Sequence, residues 1–228
     1  MSFKSRLQKI KCAALICLLL PAAVCAHDNW ITASDYFPEP GEEIILYIGN
    51  GHNFPVSDTA IPERFVGAIL VTAPDGSTKR AAVSTDPENN RLVSSFTAAA
   101  QGAYIVSYSV KRPGMEEPLA VGAAAVISGE DSGRYARGEG LEISPLRKLS
   151  GLRAGDKLPL VLLLDGERIA GVLNVTPEKG RSYSMRTTAE RPAEITIREA
   201  GHYLVATSRG GQAASFTFFA GERADESD

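Results

Sequence analysis

Cysteine is scarce in this chain of 228 residues, and its placement excludes much chemistry. The three cysteines, Cys12, Cys17 and Cys25, all lie within the first 26 positions. If that segment is removed, no thiolate metal site, redox thiol, cysteine nucleophile or disulfide is left. Stability must then come from core burial alone, although small exported domains often lean on disulfides. Histidine is almost as rare, with only His27, His52 and His202, and Trp30 is the one tryptophan. No segment keeps a helical apolar period over three turns, which disfavours doubly wound α/β folds. Glycine (21) and proline (13) are too few for a collagen or a low-complexity chain, and 44% apolar residues is an ordinary globular value. The sequence has no Gly-x-Ser-x-Gly elbow, no His-Glu-x-x-His, no phosphate loop and no dinucleotide fingerprint. Its many carboxylates stand at no diagnostic spacing, so a glycosidase reading has no support. These absences argue against an enzyme. Net charge is −3, and four cations, Lys4, Arg6, Lys9 and Lys11, precede the first acid, so the rest of the chain is more acidic than the whole. No nucleic-acid partner is expected, because phosphate binding needs a basic surface.

What is present begins with a leader. Residues 1–11 are basic, Cys12 to Val24 is almost wholly apolar, and Val24-Cys25-Ala26 supplies small residues for a signal peptidase. The pattern predicts a signal peptide over residues 1–26, cleaved after Ala26, and an exported protein beginning at His27. A retained transmembrane helix is the competing reading. The apolar run falls short of the ~20 residues a bilayer needs, so no stable membrane insertion is expected after cleavage. Lipoprotein processing at Cys25 is a second alternative, and Val24 is bulky for it.

Beyond the leader, twelve short runs rich in β-branched and aromatic residues alternate with Gly, Pro, Asp and Asn punctuation, from Glu43 to Ile48 through to Ser215 to Phe219. Such spacing predicts an all-β protein of sandwich type. Residues 129–139 are rich in glycine and charge and read as a linker. The expected domains are an N-terminal β-sandwich over 27–128, a C-terminal one over 140–221 and an acidic disordered tail over 222–228. A weak repeat supports the division: Pro40-Gly41-Glu42-Glu43-Ile44, leading to Gly49-Asn50-Gly51, parallels Ala154-Gly155-Asp156-Lys157-Leu158, leading to Asp165-Gly166. Likewise Gly102-Ala103-Tyr104-Ile105-Val106 parallels Gly201-His202-Tyr203-Leu204-Val205, a pattern that suggests a tyrosine corner in each sandwich.

Candidate chemistry centres on two histidines. With cleavage after Ala26, His27 offers an α-amine and an imidazole that can chelate one divalent ion, suiting Ni, Co or Cu. An accidental residue at the cleavage site is the bland alternative. His52 follows an apolar strand inside Gly49-Asn50-Gly51-His52-Asn53-Phe54-Pro55, where flanking glycines can present the ring. It is otherwise an ordinary loop histidine. Together they would make a three-nitrogen site. Asp28, Asp35 and Asp58 are candidate oxygen ligands or supports, Asp28 being the least arbitrary because it adjoins His27. His202 reads as a surface residue, and Trp30 and Phe54 as packing residues that could also wall a site.

His27-Asp28-Asn29-Trp30, Pro40-Gly41-Glu42-Glu43 and Gly51-His52-Asn53-Phe54-Pro55 resemble a bacterial family of periplasmic proteins described as nickel or cobalt transport components and carrying a domain of unknown function. Leu141-Glu142-Ile143-Ser144-Pro145, Ala154-Gly155-Asp156-Lys157-Leu158 and Ala200-Gly201-His202-Tyr203 are similar to its later motifs in the same order. The resemblance implies a periplasmic, metal-related protein with an immunoglobulin- or transthyretin-like sandwich and a second one behind it. The family's histidines fall on His27 and His52, and no role transfers to His202. The linker is shorter here than the resemblance leads one to expect.

The sequence therefore points to a periplasmic protein that binds a transition-metal ion, Ni or Co with Cu as the further candidate, through His27, His52 and, more weakly, Asp28. It would support uptake or trafficking with an inner-membrane metal transporter as partner. Nitrogen ligands alone do not separate these ions from Zn. The alternative is a metal-independent module that presents loops or edge strands to an envelope protein or a glycan. A copper monooxygenase would share the ligands but needs an open aromatic substrate face, for which the sequence offers only Trp30 and Phe54.

Overall fold

The computed structural model describes residues 28–221. The leader, His27 and the acidic tail all lie outside the described residues. Sixteen strands and one short 3-10 turn, Glu63–Phe65, make up the regular structure of the described residues. Among the described residues no helix is long and apolar enough to cross a membrane.

In the first half, β1 (Asp28–Ala33), β2 (Glu43–Gly51), β6 (Arg91–Thr97) and β5 (Ser84–Asp86) form one antiparallel sheet in that order. Facing it are β3 (Ile69–Thr72), β4 (Thr78–Ala81), β7 (Gly102–Val110) and β8 (Ala120–Ser128), ordered β8-β7-β3-β4. Distributing four consecutive hairpins this way gives the two-sheet order of immunoglobulin domains. The period-2 pattern explains the pairing. Ile44, Leu46 and Ile48 of β2 point inward against Tyr104, Val106 and Tyr108 of β7, while Glu43 and Ile45 on the alternate positions are exposed.

The second half repeats the plan. Here β9 (Leu141–Pro145), β10 (Lys157–Leu164), β11 (Glu167–Ile169) and β14 (Ala193–Thr196) share one sheet. Opposite lie β12 (Gly171–Pro177), β13 (Tyr183–Thr187), β15 (Gly201–Arg209) and β16 (Gln212–Ala220), ordered β13-β12-β15-β16. Both tyrosine corners form. Tyr104 Oη accepts from Ala100 N at 2.7 Å and donates to Ala100 O at 3.0 Å. Tyr203 Oη accepts from Arg198 N at 3.1 Å and donates to Glu199 O at 2.9 Å.

The halves are joined by a parallel ladder between β16 and β8, from Ala213↔Ala120 to Thr217↔Ala124. One eight-stranded sheet, β13-β12-β15-β16-β8-β7-β3-β4, therefore runs through the molecule. Alternation on β8 shows how it is covered: Ala124 and Val126 belong to the first core, whereas Ala123, Ala125 and Ile127 belong to the second. The two four-stranded sheets thus pack on opposite faces of the long one. A strand covered on both faces must be apolar throughout, which accounts for the run Val121-Gly122-Ala123-Ala124-Ala125-Val126-Ile127. β1 crosses the seam, with Ser215 Oγ donating to Asn29 O at 2.6 Å and Tyr108 Oη to Trp30 O at 3.3 Å.

Residues 129–139 are fastened to the second sandwich. Asp131 and Tyr135 are buried. The Asp131 carboxylate accepts from Tyr135 Oη, Gly133 N, Leu149 N and Ser150 N, all within 3.0 Å. Burial pushes this carboxyl up, but the four donors together outweigh it and leave it below the ordinary value.

Candidate functional site

The β1–β2 ladder positions the candidate residues. It pairs Ala33 with Leu46 at one end and Asp28 with Gly51 at the other, so Asp28 sits beside the loop that starts at His52. Gly51 adopts φ +149°, and a Cβ there would collide with the Asp58 carboxylate. Glycine is what lets the chain turn out of β2 at this point. Asp58 then fixes the loop: one oxygen accepts His52 N at 2.7 Å, and the other accepts Asn53 Nδ2 at 2.8 Å. Ser57 Oγ accepts Asn50 N at 3.0 Å. His52 is left with an exposed ring on a braced backbone.

Asp28 and His52 border a cleft of about 310 Å³. Trp30 and Phe54 line its floor on the first sandwich, and Asn174, Thr176, Ser182 and Ser184 of the β12–β13 hairpin line the second. Across that hairpin Ser184 Oγ donates to Asn174 Oδ1 at 2.7 Å and Ser182 Oγ to Thr176 Oγ1 at 3.1 Å. The wall is therefore polar and uncharged. Burial pushes the Asp28 carboxyl above its ordinary value, and the charge of His52 pulls it part of the way back. A half-buried carboxylate beside an exposed imidazole is an oxygen-and-nitrogen donor pair that suits borderline divalent metals.

The other sequence candidates are placed differently. Asp58 is occupied with loop closure, and Asp35 Oδ1 accepts Phe37 N at 2.7 Å in a local turn. Neither lines the cleft. No group of three or more His, Cys, Asp or Glu side chains that could hold a metal ion occurs among the described residues. Trp30 and Phe54 do pack: their rings meet edge-to-face at 5.5 Å, and with Leu204 of β15 they form a small cluster between the sandwiches. Trp30 also covers Gly49, where any Cβ would strike the indole.

His202 is not the plain surface residue that the sequence suggests. Its side chain is only 25% exposed, and Nδ1 lies 2.7 Å from Glu178 Oε2. Its ring packs near Tyr36 and Phe219, at 5.5 and 5.3 Å. Phe54, 6.5 Å from the ring, also lines the cleft, whereas His202 does not. The Glu178 carboxyl is held below its ordinary value mainly by the backbone N–H of His202. Glu178 thus holds the His202 ring of the second sandwich against Tyr36 and Phe54 of the first. The register gives no warning of it, because Tyr36 and His202 are far apart in the chain and meet only through the β8–β16 seam.

Sequence reasoning also missed the polar wall, since four neutral side chains more than 120 residues from His52 carry no motif. The structure defines an all-β protein of two immunoglobulin-type sandwiches that share one sheet, with a polar cleft where they meet. Residues 24–136 match the family model described as Domain of unknown function (DUF4198). That match spans the first sandwich and most of the joining segment, and the family's description names no metal. No curated protein matches the chain. Among solved structures, the D0-D1 domain of Intimin is 15% identical, with 83% of this chain and 97% of that one covered at a TM-score of 0.27. Escherichia coli alpha-2-macroglobulin activated by porcine elastase is 12% identical over 86% of this chain and 20% of its own, with a TM-score of 0.32. The Yersinia pseudotuberculosis adhesin InvE is 10% identical over 88% and 61%, with a TM-score of 0.29.

Proposed function

We propose that this protein is a periplasmic binder of a divalent transition-metal ion, Ni or Co with Cu as the further candidate, and not an enzyme. The ligands would be the His27 amine and ring, the His52 ring and the Asp28 carboxylate. The bound ion would be passed to or from an inner-membrane transporter. One observation carries the reading: the β1–β2 ladder ends with Asp28 opposite Gly51, next to His52 and at the mouth of the cleft. The metal would supply a Lewis-acidic charge. Asp28 and His52 would bind it, Asp58 would hold the His52 backbone in place, and Trp30 and Phe54 would keep water from one side.

In this reading the amine exists as a ligand only after the leader has been cut. A protein beginning at His27 should therefore bind metal at least ~10-fold more tightly than one carrying extra residues ahead of it, since outer-shell losses alone cost 10–100-fold. Isothermal titration of both forms with Ni, Co, Cu and Zn checks this. Equal affinity in the two forms would remove the amine from the site.

A further inference from the structure

The fold makes a second junction on the opposite face of the long sheet. There the start of β9 and the β10–β11 turn lie over β3 and β7, as the start of β1 and the end of β2 lie over β12 and β13. Between them is a cleft of about 390 Å³, within the usual range for small-molecule pockets. Its chemistry differs from that of the first cleft.

Arg137 lines it, with a side chain only 13% exposed. Two carboxylates flank the Arg137 side chain: Glu142, which accepts Arg137 N at 2.7 Å and Gly138 N at 2.9 Å, and Glu139, whose Oε1 lies 3.7 Å from Nη1. Arg137 Nε stays 3.6 Å from Glu142 Oε2 and is buried without a hydrogen-bond partner among the described residues. Nη2 donates to Glu139 O at 3.2 Å. A guanidinium has five donors in a planar fork that matches a carboxylate, and leaving them unpaired away from water is costly. Lys111, the second cation in the cleft, donates Nζ to a neutral acceptor, Glu116 O, at 2.8 Å. The remaining charges in the lining are the acids Glu117, Glu139 and Asp165. A simple anion would meet these three carboxylates, and a simple cation would meet Arg137 and Lys111. A molecule carrying both charges satisfies both groups.

The geometry points to a binding site for a small zwitterion, an α-amino acid or a dipeptide. Its carboxylate lies on Arg137 and Lys111, and its ammonium faces Glu117, Glu139 and Asp165. The site is independent of the metal reading, because it shares no residue with Asp28 or His52.

The test titrates the leader-free protein with the common L-amino acids and glycylglycine, using propionate and ethylamine as half-ligands, by calorimetry and thermal shift. At least one amino acid or the dipeptide should bind, with neither half-ligand matching it. Arg137→Gln should weaken binding by at least about tenfold, the loss expected for a charge-assisted contact. Glu117→Lys, at an exposed position, should weaken it severalfold while leaving the unliganded melting temperature unchanged. Absence of binding across the panel, equally tight binding of propionate, or affinity unchanged in Glu117→Lys and in a folded Arg137→Gln would each overturn the proposal.

Discussion

At the scale of single residues, Asp28 is the position where stability and the proposed metal binding pull apart. Its carboxyl is pushed up by burial, so the folded state favours the protonated form. Such a group contributes most below its unfolded pKa, and its contribution is lost as pH rises through the raised folded value. At neutral pH the ionised carboxylate is therefore a cost that the fold tolerates. Replacing Asp28 with Asn should leave the melting temperature unchanged or raise it, while weakening metal binding by about 10-fold or more. Calorimetry and titration on one preparation check both halves of the statement. A clear fall in melting temperature would mean that Asp28 serves the structure instead.

Elements show most clearly what the sequence could and could not reveal. The tyrosine corners were readable because the same Gly-x-Tyr pattern opens β7 and β15, and a tyrosine at that offset can only reach back to the preceding turn. β1, β4, β5 and β11 were not readable. β4 is the edge strand Thr-Lys-Arg-Ala with three exposed residues, and β11 has three residues in all, so neither carries alternation. The run Arg64 to Thr72 reads as one strand but divides into the turn Glu63–Phe65 and the strand Ile69–Thr72. The glycine-rich stretch 129–139 looked like a simple linker because its anchor is one acid and one tyrosine, Asp131 and Tyr135, among charged neighbours. Asp131→Ala should lower stability by about 3 kcal/mol, because it takes the acceptor from the Gly133 and Ser150 N–H groups and from the Tyr135 hydroxyl. The Asp131 carboxyl is held below its ordinary value, so its contribution is present above the unfolded value near 3.8 and is lost as pH falls through the folded one. Chemical unfolding of parent and variant between neutral and acid pH should show the difference shrinking only at the acid end.

Across the whole molecule, the β8–β16 ladder turns two sandwiches into one body. The second core is not built by the second half alone, since β7 and β8 of the first half give Ala103, Ile105, Ala123, Ala125 and Ile127 to it. The seam escaped the sequence reading because parallel pairing of two distant strands leaves no local trace beyond apolar character on both faces of β8. Calorimetry should show one cooperative transition for the described body, and two resolved transitions would contradict the shared sheet. Both clefts depend on the same seam, because each draws its walls from both sandwiches. The His52 loop and the Asp28 neighbour were legible as a candidate pair. Their opposing wall was not, being built from the far half of the chain.

The central claim is a metal site at the exposed end of the β1–β2 ladder. Its most direct test is titration of protein beginning at His27, with the terminus verified by mass spectrometry, against Ni, Co, Cu and Zn beside the His27→Ala, His52→Ala double variant. Trp30, the one tryptophan and part of the cleft lining, provides a fluorescence signal at the site. The account predicts tight one-to-one binding with a change in Trp30 emission, weakened by about 100-fold or more in the double variant. Equal binding by the parent and the double variant, or none by either, would contradict it and leave the fused sandwiches as a metal-independent interaction module.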